Sequence, residues 1–392
     1  MKAHVLIRPP RLVNRAWSRL SRPARSRRTR AWLLSHPRCD SIQQWAVSTP
    51  GAAVKPVRPR VTVRRPRPGI SPSINQGYAY FLSLPEEYVV PERHLACIPG
   101  GCLIGDHGLL VLPDGALSTE SVYEHLYGES RLTQTPIFAG QGERFVKGNF
   151  YSLLNRFTAD HNYYHWLHDV VIPLHDVLDH LPTDVRFVVP RERRGFQDDS
   201  LAVIGVTGER LWEYDASGPV RLENLYFATP PPLTMGRPIS EAWFRDKALE
   251  AYSVEPRVPS RRIYISRRAA RYRRVVNEEE VAELMRSYDF DVYHLEDWSF
   301  SDQVALFAEA EVVVSAHGAG LTNMIFSPPG LVVVDIFESD QFNKYFWNLT
   351  AALGHRYWPM AGRPVRSGNS YASDLELSPI VLREVVEHVL VP

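Results

Sequence analysis

The sequence predicts an α/β protein in which two domains follow a basic N-terminal tail. Its 392 residues are 44% hydrophobic, which is enough apolar material for two packed cores. From residue 262 onward, segments with strand and helix character alternate. Such alternation indicates β-α-β crossovers and a parallel sheet that helices cover on both faces. The predicted division is a mostly disordered tail (1–72), an N-terminal domain (73–253) and a Rossmann-like C-terminal domain with a closing helix (254–392).

The tail differs from the rest of the chain in its charge. Residues 1–70 hold 17 of the 45 Lys and Arg side chains but only one acid, Asp40, so their charge is about +16 (17 − 1) and that of the remainder about −15 (28 − 43). An Arg- and Pro-rich segment without apolar periodicity buries too little surface to offset its ordering entropy. Such a tail suits anionic lipid, nucleic acid or a transit signal, or it is a solvated extension without a partner. The acidic body argues against nucleic acid.

Cysteine usage and hydropathy indicate the compartment. The three cysteines, Cys39, Cys97 and Cys102, are too few for a disulfide framework and lack zinc-finger spacing. No run of eighteen uncharged apolar residues occurs, and the N-terminus lacks the apolar stretch of a secretory signal. We therefore expect a cytoplasmic protein that the basic tail holds in peripheral contact with the inner face of the cell membrane.

The first half of the sequence predicts strands and one bent helix. Short apolar runs with Gly, Pro and Asp punctuation between residues 75 and 155 are typical of short strands and turns. An apolar stripe with helical spacing then predicts a helix that Pro173 should bend; its members are Leu167, Val170, Val171, Leu174, Val177, Leu178 and Leu181. Residues 185–190 and 222–228 are predicted strands. A polar helix near 240–252 precedes a Pro-containing linker at 256–259.

In the second half, the sequence predicts strands at 262–266, 289–294, 311–316 and 331–337, and helices at 277–288, 301–309 and 379–390. The first of these helices has the clearest start, because Asn277 can cap it and Glu280 stands at the capping-box position.

The segment from His317 to Asn323 (His-Gly-Ala-Gly-Leu-Thr-Asn) is the first motif that indicates chemistry, since it follows a predicted strand. A strand that ends in a Gly-X-Gly turn and begins a helix exposes backbone N–H groups to an anion. Gly318 and Gly320, with Ala319 between them, let a phosphate approach the backbone, and His317 and Asn323 add side-chain donors. A tight structural turn is the alternative.

Arginines form the second motif. Arg267 directly follows the strand at 262–266, and Arg274 ends the cluster. The carboxyl ends of parallel strands are where open α/β sheets bind ligands, and guanidinium groups suit a diphosphate. Arg268, Arg271 and Arg273 are explained at least as well by a solvated loop.

The third motif contains histidines and an aspartate. On the predicted helix, His165, His168 and Asp169 share one polar side. Such groups could act as the base that deprotonates a hydroxyl, could bind a metal, or could be hydrogen-bonded histidines on a half-buried surface. Local geometry favours His165 as the base, although Asp169, His161 and His168 remain candidates.

In their order and spacing, these segments resemble glycosyltransferase family 61. This family includes plant xylan xylosyl- and arabinosyltransferases, animal O-linked N-acetylglucosaminyltransferases and many bacterial proteins of capsular polysaccharide synthesis. The stretches that carry the resemblance are 162–166, 263–278 and 301–326, within roughly residues 145–360. The third stretch is the most specific.

The resemblance implies a GT-B fold, in which two Rossmann-like domains face one another across a cleft, with inversion at the anomeric carbon and no required metal. The donor, a nucleotide-sugar and here a UDP-linked one, would bind the C-terminal domain without a further cofactor. Arg267 and the turn at 318–320 would lie near its diphosphate, and Asp335 near its ribose hydroxyls. His165 would supply the base for a hydroxyl of a glycan or glycolipid acceptor.

The same resemblance implies a hexosyl- or pentosyltransferase of capsular or other surface polysaccharide synthesis. Eukaryotic members usually carry an N-terminal signal or anchor, so its absence favours a bacterial, cytosolic member. The sugar, the acceptor and the oligomeric state stay undetermined.

An NAD(P)-dependent oxidoreductase is the alternative from another class. Gly318 and Gly320 open a helix after a strand, and Asp335 lies 17 residues beyond Gly318 (335 − 318). The dinucleotide fingerprint requires a third small residue three positions after the second glycine, where this chain has Asn323. The motif therefore fails at that position.

Overall fold

A computed structural model of the protein describes residues 35–70, 75–122, 142–155, 161–255, 257–338, 342–365 and 373–391. The chain forms two compact units. The first comprises the residues up to Arg60 together with Pro91–Pro231, and the second comprises Val61–Val90 together with the residues from Pro232 onward. Residues 1–34 of the predicted tail lie outside the described residues.

The strands of the described residues are numbered in chain order: β1 Arg38–Cys39, β2 Ala53–Arg58, β3 Val61–Arg64, β4 Glu87–Val90, β5 Arg93–Pro99, β6 Cys102–Ile104, β7 Leu109–Val111, β8 Leu117–Ser118, β9 Arg144–Ser152, β10 Arg186–Pro190, β11 Leu211–Tyr214, β12 Val220–Ala228, β13 Arg261–Ile265, β14 Phe290–Tyr293, β15 Ala310–Ala316, β16 Val332–Glu338, β17 Arg356–Pro364 and β18 Leu375–Glu376.

The longer helices are α1 Ile42–Ser48, α2 Asn75–Ser83, α3 Gly195–Val203, α4 Pro238–Ala251, α5 Glu278–Arg286, α6 Phe300–Ala308, α7 Tyr345–Leu353 and α8 Pro379–Leu390. Short 3₁₀ turns cover Glu120–Val122, Ile172–Asp176, Leu178–His180, Gly208–Arg210 and Leu295–Asp297, and Ala319–Phe326 is a longer 3₁₀ helix. Within the described part of the chain, no helix is both long enough and apolar enough to cross a bilayer.

The first unit is built on a mixed ten-stranded sheet with the order β1-β8-β7-β6-β12-β9-β10-β11, to which β5 adds on β12 and β2 adds on β5. The strands β12, β9, β10 and β11 run parallel. Their inward side chains, such as Phe150, Val188 and Leu222, form one buried cluster. Because the carboxyl ends of parallel strands meet at one edge, this edge is where a ligand is expected.

Residues 35–70, which the sequence places in a mostly disordered tail, contain regular structure. Strand β2 pairs antiparallel with β5, and Ser41 caps α1 by accepting a hydrogen bond at its Oγ from the N–H of Gln44. Ile42 and Ala46 of this helix are buried. Composition alone predicted disorder because the segment has few apolar residues of its own. A partner strand distant in sequence supplies the pairing that the segment lacks locally.

The second unit contains a six-stranded sheet with the order β14-β13-β15-β16-β17-β18, parallel except for β18. Taken in chain order, its five parallel strands are arranged 2-1-3-4-5, a doubly wound arrangement. On one face, Tyr264, Val312 and Val334 join a buried cluster with residues of α5 and α8. The opposite side chains Ile263, Val313 and Val333 are equally buried, as expected for a parallel sheet covered on both faces. The predicted α/β class is confirmed.

The segment Val61–Val90 belongs to the second unit, although it lies early in the sequence. Arg65 donates a hydrogen bond of 3.0 Å to the Oδ1 of Asn348, and its guanidinium lies 4.5 Å from the ring centre of Trp347. The Tyr88 hydroxyl donates to the carbonyl of Gly236 at 2.9 Å. The units therefore divide after residues 60, 90 and 231, whereas the predicted boundaries follow residues 72 and 253. Local sequence patterns do not register such long-range packing.

The stability of the second unit should depend on pH through His355. This histidine is 4% exposed, and its Nε2 donates to the carbonyl of Met324 at 3.0 Å. Burial lowers the pKa of His355 to about 4. The unfolded chain takes up the proton near pH 6.5, so acidification from pH 6.5 to 4 favours unfolding, by about 3 kcal/mol at the acid end. Urea unfolding at pH 7.5 and 5 should show this loss. In His355→Asn the free energy of unfolding should differ less between the two pH values. An unchanged difference would show that His355 is not the group responsible for the pH dependence.

Candidate functional site

The carboxyl edge of the second unit's sheet forms one candidate site. Strand β13 lies between β14 and β15, so the chain leaves β13 toward one side and returns on the other. At such a switch point the loops diverge and open a crevice for ligands. Ser266 and Arg267 follow β13 here, and His317 and Gly318 follow β15.

Arg267 and Gly318 meet at this edge, as the sequence predicts. A Cβ atom on residue 318 would overlap the guanidinium of Arg267. The backbone of Gly318 is extended, with φ of −175°, so glycine is required here by space and not by conformation. The guanidinium also donates to the carbonyls of Tyr272 at 2.8 Å and Arg273 at 3.3 Å. These contacts hold a planar cation against the backbone of Gly318, an arrangement suited to a diphosphate.

Gly318→Ala should therefore displace the guanidinium of Arg267. The overlapped atoms are the end of a flexible side chain, so the fold adjusts while the cation moves. If the site binds UDP, we expect about a tenfold loss of affinity in isothermal titration calorimetry, with little change in urea unfolding. Gly142→Ala is the matched control, since a Cβ there meets no atom within 4 Å. Wild-type UDP affinity in Gly318→Ala would refute this role of the glycine.

The helix after the turn differs from the expectation in type. Ala319–Phe326 is a 3₁₀ helix whose first N–H groups have no acceptor within the helix. A Cβ on Gly320 would lie 3.2 Å from Cδ1 of Leu295, so this glycine permits close packing. Asn323 is fully buried and donates to the Oε1 of Gln303 at 2.7 Å. Its side chain therefore holds α6 in place and does not serve as the predicted donor to a ligand.

His317 and Asp335 form a buried chain with two residues that the sequence analysis did not identify. Nδ1 of His317 lies 3.0 Å from Oδ1 of Asp335, and the Tyr357 hydroxyl donates to the Oδ2 of Asp335 at 2.8 Å. Asn343 accepts the N–H of Tyr345 at its Oδ1, which turns its Nδ2 toward Nε2 of His317 at 3.0 Å. The imidazole therefore donates at Nδ1 and accepts at Nε2.

Two predicted roles change as a result. Asp335 is fully buried, and its carboxylate oxygens are hydrogen-bonded to His317 and Tyr357. It therefore does not meet ribose hydroxyls. Both ring nitrogens of His317 are engaged, and its ring stacks on Phe337 at 4.7 Å. His317 thus fixes the turn and leaves ligand contact to the backbone that follows it.

Arg274 does not join Arg267. It forms an ion pair with Asp374, at 2.6 Å between Nη2 and Oδ2, and its backbone N–H donates to the same carboxylate. Glu278, which the sequence analysis did not select, lies closer to the site. It starts α5 and accepts a hydrogen bond from the Tyr264 hydroxyl at 3.2 Å, and burial raises its pKa. The sequence feature that could have identified Glu278 is its position at the amino end of the helix that follows β13.

The histidine motif lies in the first unit and is not the amphipathic helix that was predicted. One turn of α-helix, Tyr163–His165, continues into a π-helix, Trp166–Val171, all of whose residues are buried. The wider π turn places His168 and Asp169 inside, where a regular helix would have exposed them. Such π segments are frequent at functional sites.

Asp169 holds two histidines. Its Oδ2 lies 2.6 Å from Nδ1 of His165, and its Oδ1 lies 3.0 Å from Nδ1 of His168. Burial alone would raise the pKa of Asp169, but the hydrogen bonds from both imidazoles outweigh it, so the pKa lies well below its usual range. An ionised Asp169 accepts Nδ1–H of His165, which leaves Nε2 as the basic nitrogen of that ring.

The other candidates for the base have different surroundings. His168 is fully buried, and His161 pairs through Nδ1 with the Oε1 of Gln197 at 3.0 Å. The side chain of His165 is 15% exposed. Within the described ranges, no group of three or more His, Cys, Asp or Glu side chains has an arrangement that could hold a metal ion. The ring of His165 thus combines a carboxylate at Nδ1 with partial exposure to solvent.

Comparison with known proteins adds a family to this geometry. Residues 163–334 match the family described as Glycosyltransferase 61. This region, 172 of the 392 residues (334 − 163 + 1), is similar to glycosyltransferase family 61. It contains His165, Asp169, Arg267 and the turn at 318–320, and it ends just before Asp335. The resemblance inferred from the motifs is confirmed, and the match gives no support to the oxidoreductase alternative.

Curated relatives that match this chain include two kinds of animal enzyme. The EGF domain-specific O-linked N-acetylglucosamine transferase of Drosophila melanogaster is 29% identical over 120 residues, which are 29% of this chain and 23% of the relative. Its Mus musculus counterpart is 25% identical over 149 residues, 33% and 28% of the two chains. The protein O-linked-mannose beta-1,4-N-acetylglucosaminyltransferase 2 of Xenopus laevis is 44% identical over 69 residues, 17% and 12%. The matches span less than a third of each relative's length.

Proposed function

We propose that the protein is an inverting, metal-independent glycosyltransferase of the GT-B type that moves a sugar from a UDP-linked donor to a hydroxyl of a glycan. The observation that carries the proposal is the guanidinium of Arg267 lying against Gly318 at the switch point of a parallel sheet, inside a family 61 region. A cation beside the N–H groups that begin a helix suits the diphosphate of a nucleotide.

The proposed reaction is a single displacement. His165 takes the proton of the acceptor hydroxyl at Nε2, the hydroxyl oxygen attacks the anomeric carbon, and the bond from that carbon to the diphosphate oxygen breaks. Asp169 stabilises the imidazolium that forms, as a buried carboxylate does for a catalytic histidine. Arg267 and the N–H groups after Gly318 stabilise the charge that develops on the departing UDP.

Glu278 replaces Asp335 as our candidate for the ribose hydroxyls. A carboxylate suits two adjacent hydroxyls because it accepts hydrogen bonds only. Glu278 lies behind the end of β13, beside the edge that carries Arg267, whereas Asp335 is enclosed.

The activities for which the relatives are named guide the choice of donor. Both kinds are N-acetylglucosamine transferases, so UDP-N-acetylglucosamine, a hexose donor, is the first to test.

For the acceptor we propose a glycan or glycolipid of surface polysaccharide synthesis. We place the reaction at the cytoplasmic membrane face, because residues 1–34 carry ten Lys and Arg side chains and no acid, a composition that attracts anionic lipid.

Nucleotide binding and transfer test the proposal directly. Thermal shifts should be measured with UDP, GDP and CMP, and transfer with UDP-N-acetylglucosamine, UDP-glucose and UDP-xylose, each with and without EDTA. We expect a shift with UDP, activity that survives EDTA, and a β-linked product from an α-linked donor by NMR. A protein that responds to none of the nucleotides is not a nucleotide-sugar transferase. Loss of activity in EDTA would refute metal independence, and an α-linked product would refute inversion.

A further inference from the structure

A cavity of about 470 Å³ opens at the carboxyl ends of β10 and β11 in the first unit. Its volume lies in the range of about 300–1,000 Å³ that small-molecule sites occupy. A smaller cavity of about 50 Å³ lies at the ends of β9 and β12 and is lined by Asp169. Leu154 lines both cavities. The larger cavity therefore adjoins the edge that carries the proposed base.

Acidic groups outnumber basic ones on the wall of the larger cavity. Of the residues that the structure describes, Asp106, Glu192 and Asp215 line it, against the single guanidinium of Arg191. A hydrogen bond from the backbone N–H of Ser217 lowers the pKa of Asp215, so this group is ionised at neutral pH. Carboxylates accept hydrogen bonds from hydroxyls and repel other anions.

Tyr214 supplies a second observation that points to a ligand. It lines the cavity and is 5% exposed. Among the described residues, its hydroxyl has no hydrogen-bond partner. A buried hydroxyl without a partner costs stability, which is compensated when a ligand supplies the partner. Its ring packs in the same buried cluster as Phe150 and Val188.

We propose, on the basis of the glycosyltransferase function above, that this cavity binds a neutral sugar of the acceptor glycan. The Tyr214 hydroxyl and the carboxylates of Asp106 and Glu192 contact its hydroxyls. The same carboxylates exclude acceptors that carry uronic acid, sialic acid or phosphate. His161, four residues before His165, lines the cavity, so the chain that carries the base also contacts the bound glycan.

An oligosaccharide array with matched neutral, carboxylated and phosphorylated members tests this site. The full-length wild-type protein should bind neutral members in preference. Tyr214→Phe should weaken binding of the best neutral member about three- to tenfold, the loss of one hydrogen bond. Its melting temperature should be unchanged or higher, because an unpartnered hydroxyl has been removed. The double variant Asp106→Asn/Glu192→Gln should reduce the preference for neutral over acidic members at least about fivefold.

Glu213→Gln is the matched control, since Glu213 adjoins Tyr214 in sequence but pairs with Arg193 at 3.5 Å, outside the cavity lining. It should bind the array as the wild type does. The site is disproved if the wild type binds no array member, if it prefers acidic members, or if Tyr214→Phe binds with unchanged affinity. UDP binding should be recorded for every variant. If any of these results is found while UDP binding is intact, only this inference is rejected. If the wild type does not bind UDP, the proposed function is rejected.

Discussion

Replacing His165 by alanine should lower the turnover number for glycosyl transfer by about 10²- to 10⁴-fold, the usual contribution of a general base. Affinity for UDP should stay at the wild-type value, because His165 contacts Asp169 in the first unit and the proposed diphosphate site lies in the second. Initial rates at saturating donor and acceptor, with calorimetric UDP binding, measure both quantities.

Asp169→Asn should produce a comparable loss of turnover, because the side chain of asparagine is neutral and offers no ionised oxygen to Nδ1–H of His165. Combining it with His165→Ala should add little further loss, because the two side chains act as a unit. His175→Ala is the control. His175 lies on the same stretch of chain, and its neighbour Asp176 keeps its ion pairs with Arg58 and Arg93. Turnover of His165→Ala within twofold of wild type would exclude His165 as the base.

The strands of the second unit could be predicted well because their apolar runs are continuous and local. The predicted strands at 262–266, 311–316 and 331–337 agree with β13, β15 and β16 within a residue or so. The strand β17 was not predicted, since Arg356 and Pro359 break its apolar pattern. The strands β2 and β3 were missed for a related reason. They depend on partners, β5 and β4, that lie 23 or more residues away in the sequence (87 − 64 for Arg64 and Glu87).

The candidate site was predictable where it depends on position along a strand, and not where it depends on side-chain partners. The meeting of Arg267 with Gly318 follows from two adjacent parallel strands that end at one edge. The burial of Asp335 requires Tyr357 from another strand, and the engagement of His317 requires Asn343 from a loop. No local pattern specifies those contacts.

The histidine motif shows the same limit at the scale of one helix turn. Regular helical spacing puts His165, His168 and Asp169 on one polar side. The π turn Trp166–Val171 changes the angle per residue, and two of the three groups become buried. The pairing of His165 with Asp169 survives this change because the two are still separated by about one turn.

Arg267→Ala should weaken UDP binding about 10- to 100-fold, the range expected when a charge-assisted hydrogen bond to a diphosphate is lost. Affinity for uridine should be unchanged, since uridine has no phosphate to meet the guanidinium. Calorimetry with UDP, UMP and uridine measures this gradient. Arg267→Lys should recover only part of the loss, because an ammonium lacks the planar fork.

The uridine measurement also distinguishes loss of a phosphate contact from displacement of the neighbouring loop. Arg267 holds the carbonyls of Tyr272 and Arg273, so its loss could move the loop that they form. A displaced loop would weaken uridine and UDP to a similar degree, whereas loss of a phosphate contact affects UDP alone. Arg271→Ala is the control, since Arg271 is exposed and stacks on Tyr272 of the same loop, 5.1 Å from its ring centre. Equal UDP affinity in wild type and Arg267→Ala would remove the guanidinium from the donor site.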